Sequence, residues 1–178
     1  ARGGWEAVKR HFRELGVDTQ REDFTVIGVG DMGGDVFGNG MLLSKHIRLI
    51  AAFNHRHIFI DPNPDAASSF KERQRLFKNG GGWDQYNQEK LSAGGAIYDR
   101  GQKELQLTPQ IQKLFGLSVK TISPLVLIQH ILKAQADLLW FGGIGTYIRA
   151  SHESNAEVGD KANDALRISA KDLRVKVI

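Results

Sequence analysis

A glycine-rich turn that follows an apolar run is the feature that most constrains how this chain can fold. Gly28, Gly30 and Gly33 come after the β-type run Phe24–Ile27 in a Gly-x-Gly-x-x-Gly spacing. In βαβ units the first glycine allows a tight turn and the second lets the backbone approach a diphosphate. The third lets the next helix pack close to the sheet. The spacing therefore predicts a corner where a strand end meets a dinucleotide.

The spacing is weak by itself because the chain holds 20 glycines, and a plain glycine turn is the alternative. The surrounding pattern strengthens it. Val36, Gly40, Leu43 and Ile47 are spaced as one face of a helix, and the apolar run Leu49–Phe53 then predicts a second strand. This order of strand, glycines, helix and strand is typical of a dinucleotide site. Gly38 and Gly40 would lie inside this helix, so a loop extending to about Met41 is the alternative.

Main-chain N–H groups at the start of the predicted helix are expected to hold the diphosphate, assisted by the positive end of the helix dipole. Asp31 and Met32 lie inside the spacing and are expected to contribute backbone donors. Gly142 and Gly143 follow a second buried-type strand, at the end where ligands of open α/β sheets bind. We predict that they leave room for the nicotinamide ribose; a second glycine turn is the alternative.

Asn54 ends the second predicted strand, about 20 residues beyond the last glycine of the spacing, where a ribose-binding residue is expected. We predict that its side chain binds the adenosine ribose hydroxyls. The alternatives are an ordinary turn residue, or Asp61 as the ribose partner. No carboxylate stands at position 54 to repel a 2′-phosphate, and Arg56 is able to accept one. The residues alone therefore leave NAD and NADP open.

Composition excludes several classes of protein. With 178 residues, 41% of them hydrophobic, the chain can bury one good core. It has no cysteine, which excludes disulfides and thiolate chemistry. No apolar run approaches the roughly 20 residues that cross a bilayer, and acids are interleaved with the bases behind the net charge of +4. We expect a cytoplasmic protein without a membrane or nucleic-acid partner, and no metal site, because His55 and His57 have no third ligand nearby.

The remaining pattern alternates helices and strands. An amphipathic helix ends before Gly16, and two more begin after Thr108 and Ser123, each of which is followed by proline at the first helical position. Further elements are predicted as a short strand at 58–60, a surface helix at 68–78, a buried strand at 137–141 and a final strand at 173–178. This alternation predicts an α/β fold: a Rossmann-type, doubly wound, mostly parallel sheet with helices on both faces.

Long segments of the chain resemble the large, bacterial type of NAD-specific glutamate dehydrogenase. Residues 2–12 read RGGWEAVKRHF, and residues 29–44 read VGDMGGDVFGNGMLLS. Further matching segments are 46–53, 55–59, 137–140, 142–147 and 159–164. Proteins of this family are much longer than 178 residues, so we expect this chain to be a piece of such an enzyme.

The resemblance implies oxidation of L-glutamate to 2-oxoglutarate and ammonia with reduction of NAD. It implies that residues 1–178 are the NAD-binding, Rossmann-like domain, with an irregular and helical insertion at about 66–107. The catalytic lysine and aspartate of the family lie in a preceding substrate domain, so no catalytic residue is expected here and the isolated chain should be inactive. We expect the full-length protein to be a homo-oligomer.

Two other functions stay open at this point. The chain could be a non-catalytic module for dinucleotide sensing or assembly, or the cofactor domain of another amino-acid dehydrogenase. In the smaller glutamate dehydrogenases an acidic residue commonly takes the place of Asn54, so the resemblance does not settle the choice of cofactor.

Overall fold

The computed structural model describes all 178 residues, Ala1–Ile178. Its strands are β1 Phe24–Val29, β2 Ile47–Phe53, β3 His57–Ile60, β4 Ala96–Asp99, β5 Leu105–Gln106, β6 Thr121–Ile122, β7 Ala136–Phe141, β8 Ile148–Arg149, β9 Ile168–Ser169 and β10 Val175–Val177. Its α-helices are α1 Arg2–Glu14, α2 Ala66–Asn79, α3 Pro109–Phe115, α4 Pro124–Leu132 and α5 Asn155–Val158. None of these helices has both the length and the apolar character needed to cross a membrane.

Six strands form one sheet in the order β10-β7-β1-β2-β3-β4, beside the small pairs β5-β6 and β8-β9. The strands from β10 to β2 are parallel, whereas β3 and β4 are antiparallel to their neighbours. The α/β class is confirmed, but the sheet is mixed and a doubly wound Rossmann order is not confirmed. The reason is the short connection at 54–56, because a parallel neighbour of β2 would need a crossover of a dozen or more residues.

Helices cover both faces of the sheet, as predicted. Ile27 and Val29 of β1 belong to a core that includes residues of α3 and α4. Phe24 and Val26 belong to the opposite core, which includes residues of α1 and α2. Because successive side chains of a strand point to opposite faces, β1 is buried on both sides and carries an apolar residue at nearly every position.

The end of α1 and the starts of α3 and α4 follow the predicted signals. Helix α1 buries Trp5, Val8 and Phe12, and Gly16 follows it with a φ of +73°. The Thr108 hydroxyl accepts a hydrogen bond from the N–H of a residue in the first turn of α3, and Ser123 does the same for α4. Each hydroxyl satisfies a backbone donor that the helix itself leaves unpaired.

The prediction of a regular helix after the glycine-rich turn is wrong. A single π-helical turn at Val36–Gly40 and a 3₁₀ turn at Met41–Leu43 occupy this position, and Ile47 already belongs to β2. A Cβ on Gly38 would lie 2.0 Å from a ring carbon of Phe77. Glycine here permits close packing against α2, and it disfavours a regular α-helix.

The segment 66–107, predicted as an irregular and helical insertion, contributes to the main sheet. It begins with α2, passes through two 3₁₀ turns and ends with β4 and β5. Strand β4 lies at the edge of the sheet and is only partly buried. Its residues therefore lack the alternation that predicts a strand.

Asp137 joins three strands near the amino end of the sheet. Its carboxylate accepts hydrogen bonds from the Thr25 N–H at 2.8 Å and the Thr25 hydroxyl at 2.9 Å, and it pairs with Lys176 Nζ at 2.7 Å. Partial burial acts to raise the pKa of Asp137, but the bonds from Lys176 and Thr25 outweigh it and hold this pKa below its ordinary value.

We predict that Asp137→Asn lowers the free energy of unfolding by about 1–3 kcal/mol at pH 7, because it removes a charged acceptor from these contacts. The contribution of Asp137 is complete above its unfolded-state pKa of about 3.9 and is lost as the pH falls through its lower folded-state pKa. The difference between variant and parent should therefore shrink below about pH 4 in urea unfolding experiments.

Asp172→Asn is the matched control, because Asp172 is exposed and forms no ion pair. It should change stability little at any pH. If Asp137→Asn lowered the free energy of unfolding by the same amount down to pH 2, the charge of Asp137 would not be the source of its stabilising effect.

Candidate functional site

The carboxyl ends of β1, β2 and β7 meet at one edge of the sheet. Val29 is paired with Phe53 on one side and Phe141 on the other, so the three strands end at the same level. The chain continues from β1 to β2 on one side and reaches β7 on the other side much later. Ligands of open α/β sheets bind at such a change of direction. The structure therefore brings together the predicted residues that follow each strand, which are Gly30, Asn54 and Gly142.

Gly142 closes the gap between β1 and β7. Its N–H donates to the Val29 carbonyl at 2.6 Å, and a Cβ on Gly142 would lie 2.6 Å from that oxygen and 3.3 Å from Gly30 Cα. The missing side chain thus lets two strand ends join. Gly143 is exposed with a φ of +76°, and a Cβ there would meet nothing within 4 Å. Of this predicted pair, only Gly143 borders open space.

Three successive backbone donors follow β1. The N–H groups of Asp31, Met32 and Gly33 form no hydrogen bond within the protein, while the Gly34 N–H donates to the Asp31 carbonyl at 2.9 Å and closes the turn. Met32 is buried in the core and anchors the loop, whereas Asp31 and Gly33 are exposed. Unpaired N–H groups in succession are suited to an anion. The turns after the loop are too short to add an α-helix dipole, so the loop itself supplies the donors.

Two of the glycines have roles that differ from the predicted ones. Gly28 lies inside β1, and a Cβ there would be 2.4 Å from the Phe37 ring and 3.0 Å from Met41 Cε. It makes room for packing, and the turn begins only at Gly30, whose φ is +154°. A Cβ on Gly33 would meet only a carbonyl oxygen at 3.6 Å, which is ordinary contact. Gly33 is therefore not needed for a close approach of helix and sheet.

Trp83 is the residue of this site that the sequence did not indicate. Its indole Nε1–H donates to the Gly30 carbonyl at 3.0 Å, and the side chain is completely buried. The ring packs edge-on against Phe37, with centroids 4.8 Å apart, and lies 5.0 Å from Phe59. Trp83 thus fixes the loop from beneath. Its segment has no clean periodicity, so no local signal pointed to this contact.

Neighbouring residues form hydrogen bonds with both the oxygen and the nitrogen of the Asn54 side-chain amide. Its Oδ1 accepts from the N–H groups of Arg56 and His57 at 2.9 and 2.7 Å, and its Nδ2 donates to Asp31 Oδ1 at 2.8 Å. Only 6% of Asn54 is exposed, whereas the Asp31 side chain is 52% exposed. The predicted contact of Asn54 with a ribose stays a prediction, and the accessible polar group here belongs to Asp31.

Asp61 does not reach this edge. It follows β3, which runs antiparallel to β2, and its N–H donates to the carbonyl of Ile50 in the middle of β2. Asp61 is 1% exposed, and burial raises the pKa of its carboxyl above the ordinary value despite hydrogen bonds from Ser92. The fallback ribose partner proposed from the sequence is therefore wrong.

A basic groove lies beside Asn54, beyond the β2–β3 turn. It has a volume of about 430 Å³ and is lined by His55, Arg56, His57, Asp99, Arg100 and Gly101. The Arg100 guanidinium donates to the Asn54 carbonyl, and desolvation lowers the pKa of Arg100 below its ordinary value. No carboxylate forms an ion pair with Arg56 or Arg100. His55 and His57 are joined by no third potential metal ligand.

The fold and this corner together define an α/β protein with a glycine-rich loop at the carboxyl edge of parallel strands. Residues 1–178 match the family model described as the catalytic domain of bacterial NAD-glutamate dehydrogenase. The chain belongs to this family, which confirms the resemblance seen in the sequence.

Curated relatives agree with this membership. The chain is 58% identical over 179 residues to the NAD-specific glutamate dehydrogenase of Halomonas elongata, and 57% identical over 185 residues to that of Mycobacterium tuberculosis. It is 54% identical over 179 residues to that of Pseudomonas aeruginosa. In each case the whole chain is matched, but it spans only 11% of the relative's length.

We predict that Gly28→Ala lowers the free energy of unfolding by about 1–3 kcal/mol, because the new methyl group would displace the Phe37 ring beneath the loop. Gly3→Ala is the control, since a Cβ there meets nothing within 4 Å and Gly3 lies inside α1. It should leave stability unchanged or raise it by up to about 1 kcal/mol. Equal urea midpoints for the two variants would contradict the packing role.

We predict that Trp83→Phe accelerates amide hydrogen exchange at Gly30 and Gly34, whose N–H groups donate to the Phe53 and Asp31 carbonyls, because the Gly30 carbonyl loses its indole donor. Trp140→Phe removes the same atoms from a tryptophan whose indole nitrogen forms no hydrogen bond to the loop, so it is the matched control. Exchange measured by mass spectrometry should differ between the two variants. Loop exchange that was equal in both would show that the Trp83 bond does not hold the loop.

Proposed function

We propose that this chain is the cofactor-holding part of an NAD-dependent glutamate dehydrogenase. The single observation that carries the proposal is the loop after β1, where the N–H groups of Asp31, Met32 and Gly33 lack partners within the protein. Each of three relatives matched over the whole chain is named an NAD-specific glutamate dehydrogenase. An NAD-dependent enzyme must bind a dinucleotide diphosphate, and these three unpaired N–H groups are suited to bind it.

The residues present fit such a cofactor. The diphosphate would lie on the loop donors, where Gly33 is exposed and places no side chain above them. The adenosine ribose would lie at the end of β2, beside Asn54 and Asp31, and the nicotinamide end would point towards Gly143 beyond β7. The bound cofactor supplies hydride acceptance, and this chain supplies binding and orientation.

The reaction we assign to the full-length enzyme is the oxidation of L-glutamate to 2-oxoglutarate and ammonia. Proton transfer at the substrate is assigned to residues outside this chain, in a substrate domain of the same longer protein. We also propose that the full-length enzyme is a homo-oligomer.

We predict that Gly33→Asp in the full-length enzyme raises the KM for NAD at least tenfold over Gly33→Asn. Both side chains have the same size, but only the aspartate carries a charge that repels a diphosphate, and repulsion of about 1.4 kcal/mol is tenfold in affinity. The KM for glutamate should change much less. Both variants should fold, since a Cβ at this position meets only Gly81 O at 3.6 Å.

Steady-state kinetics with urea unfolding as the folding check would decide this prediction. Equal KM values for NAD in the two variants, with normal stability, would place the diphosphate away from this loop.

A further inference from the structure

The carboxylate at the end of β2 comes from the glycine-rich loop, not from the strand end. We propose that Asp31 is the residue that selects NAD over NADP, by accepting hydrogen bonds from the adenosine ribose hydroxyls and repelling a 2′-phosphate. This inference rests on the proposed function and deepens it. The residue at the usual strand-end position, Asn54, becomes a positioning residue for Asp31.

The orientation of the Asn54 amide is set by its neighbours. Its oxygen faces two backbone N–H groups, those of Arg56 and His57, and only an oxygen can accept from both. The amide nitrogen must then point the other way, and there it donates to Asp31 Oδ1 at 2.8 Å. Because Asn54 is 6% exposed and held on both sides, it fixes one oxygen of Asp31 in place.

The other oxygen of Asp31 is free to accept. Asp31 Oδ2 forms no hydrogen bond within the protein, and the side chain is half exposed beside the strand end. His55 Nδ1 lies 3.8 Å from Asp31 Oδ1. A carboxylate at the end of the second strand binds ribose hydroxyls and disfavours an added phosphate. Asp31 places a carboxylate at the end of β2, although in sequence it belongs to the loop after β1.

Two positively charged side chains also lie close to Asn54. Arg56 and Arg100 line the basic groove and form no ion pair with a carboxylate, and the Arg100 guanidinium is anchored to the Asn54 carbonyl. If the charge of Asp31 were removed, these cations would be left to attract a 2′-phosphate. The variant without this charge should therefore gain activity with NADP, not merely lose activity with NAD.

The test is the ratio of kcat/KM for NAD to kcat/KM for NADP in the full-length enzyme. Asp31→Asn should lower this ratio roughly tenfold to a hundredfold, the order expected for one charge contact near a protein surface. The double variant D31N/N54D exchanges the two side chains. The carboxylate then stands at position 54 and accepts the hydrogen bond, and the amide at position 31 donates it. The double variant should restore most of the ratio, whereas a merely structural role for Asp31 would not produce this rescue.

Asp172→Asn serves as the control for net charge, because Asp172 is exposed and precedes β10, whose first residue pairs with the amino end of β7. It should leave the ratio unchanged. Circular dichroism and thermal unfolding check that each variant folds, and Asp31→Ser supplies a second removal of the charge.

The outcomes separate the two proposals. If Asp31→Asn and Asp31→Ser change kcat/KM for NAD and NADP by the same factor, the role of Asp31 is overturned while the cofactor site stands. If the KM for NAD is also insensitive to the charge at position 33, the proposed site itself fails. A lowered ratio that the double variant restores supports the inference.

Discussion

The parallel pairing of β1 with β2 on one side and β7 on the other is the interaction on which the rest of the structure depends. It places Val29, Phe53 and Phe141 at one level, so that the loop, Asn54 and Gly142 follow at the same edge of the sheet. The buried residues of β1 hold it between two cores. A shift of register would separate the strand ends, and no site could form.

The site is made of backbone, and side chains stabilise it from behind. Phe37 packs where Gly28 leaves space, Trp83 donates to the Gly30 carbonyl, and the Met32 side chain is buried in the core. Burial of these large apolar groups offsets the conformational entropy that glycines lose on folding. The proposed ligand of the unpaired donors in this loop is a dinucleotide diphosphate, and the proposed basis of cofactor selection is the set of charges around Asn54.

Local signals predicted local structure well. The caps at Thr108 and Ser123 and the strands β1, β2 and β7 were predictable because they depend on residues close in sequence. The contacts that define the site join distant residues, 53 positions apart for Trp83 and Gly30 and 23 apart for Asn54 and Asp31. The glycine spacing therefore predicted where a corner would form, but not that Gly28 serves packing or that β3 would turn back antiparallel.

The most direct test of the central claim is a crystal structure of the full-length enzyme with NAD, in which the distance from the diphosphate oxygens to the loop nitrogens is measured. The account predicts that at least one oxygen lies about 3 Å from the main-chain nitrogen of Met32 or Gly33. A diphosphate bound elsewhere, with this loop in contact only with water or with another part of the protein, would contradict it.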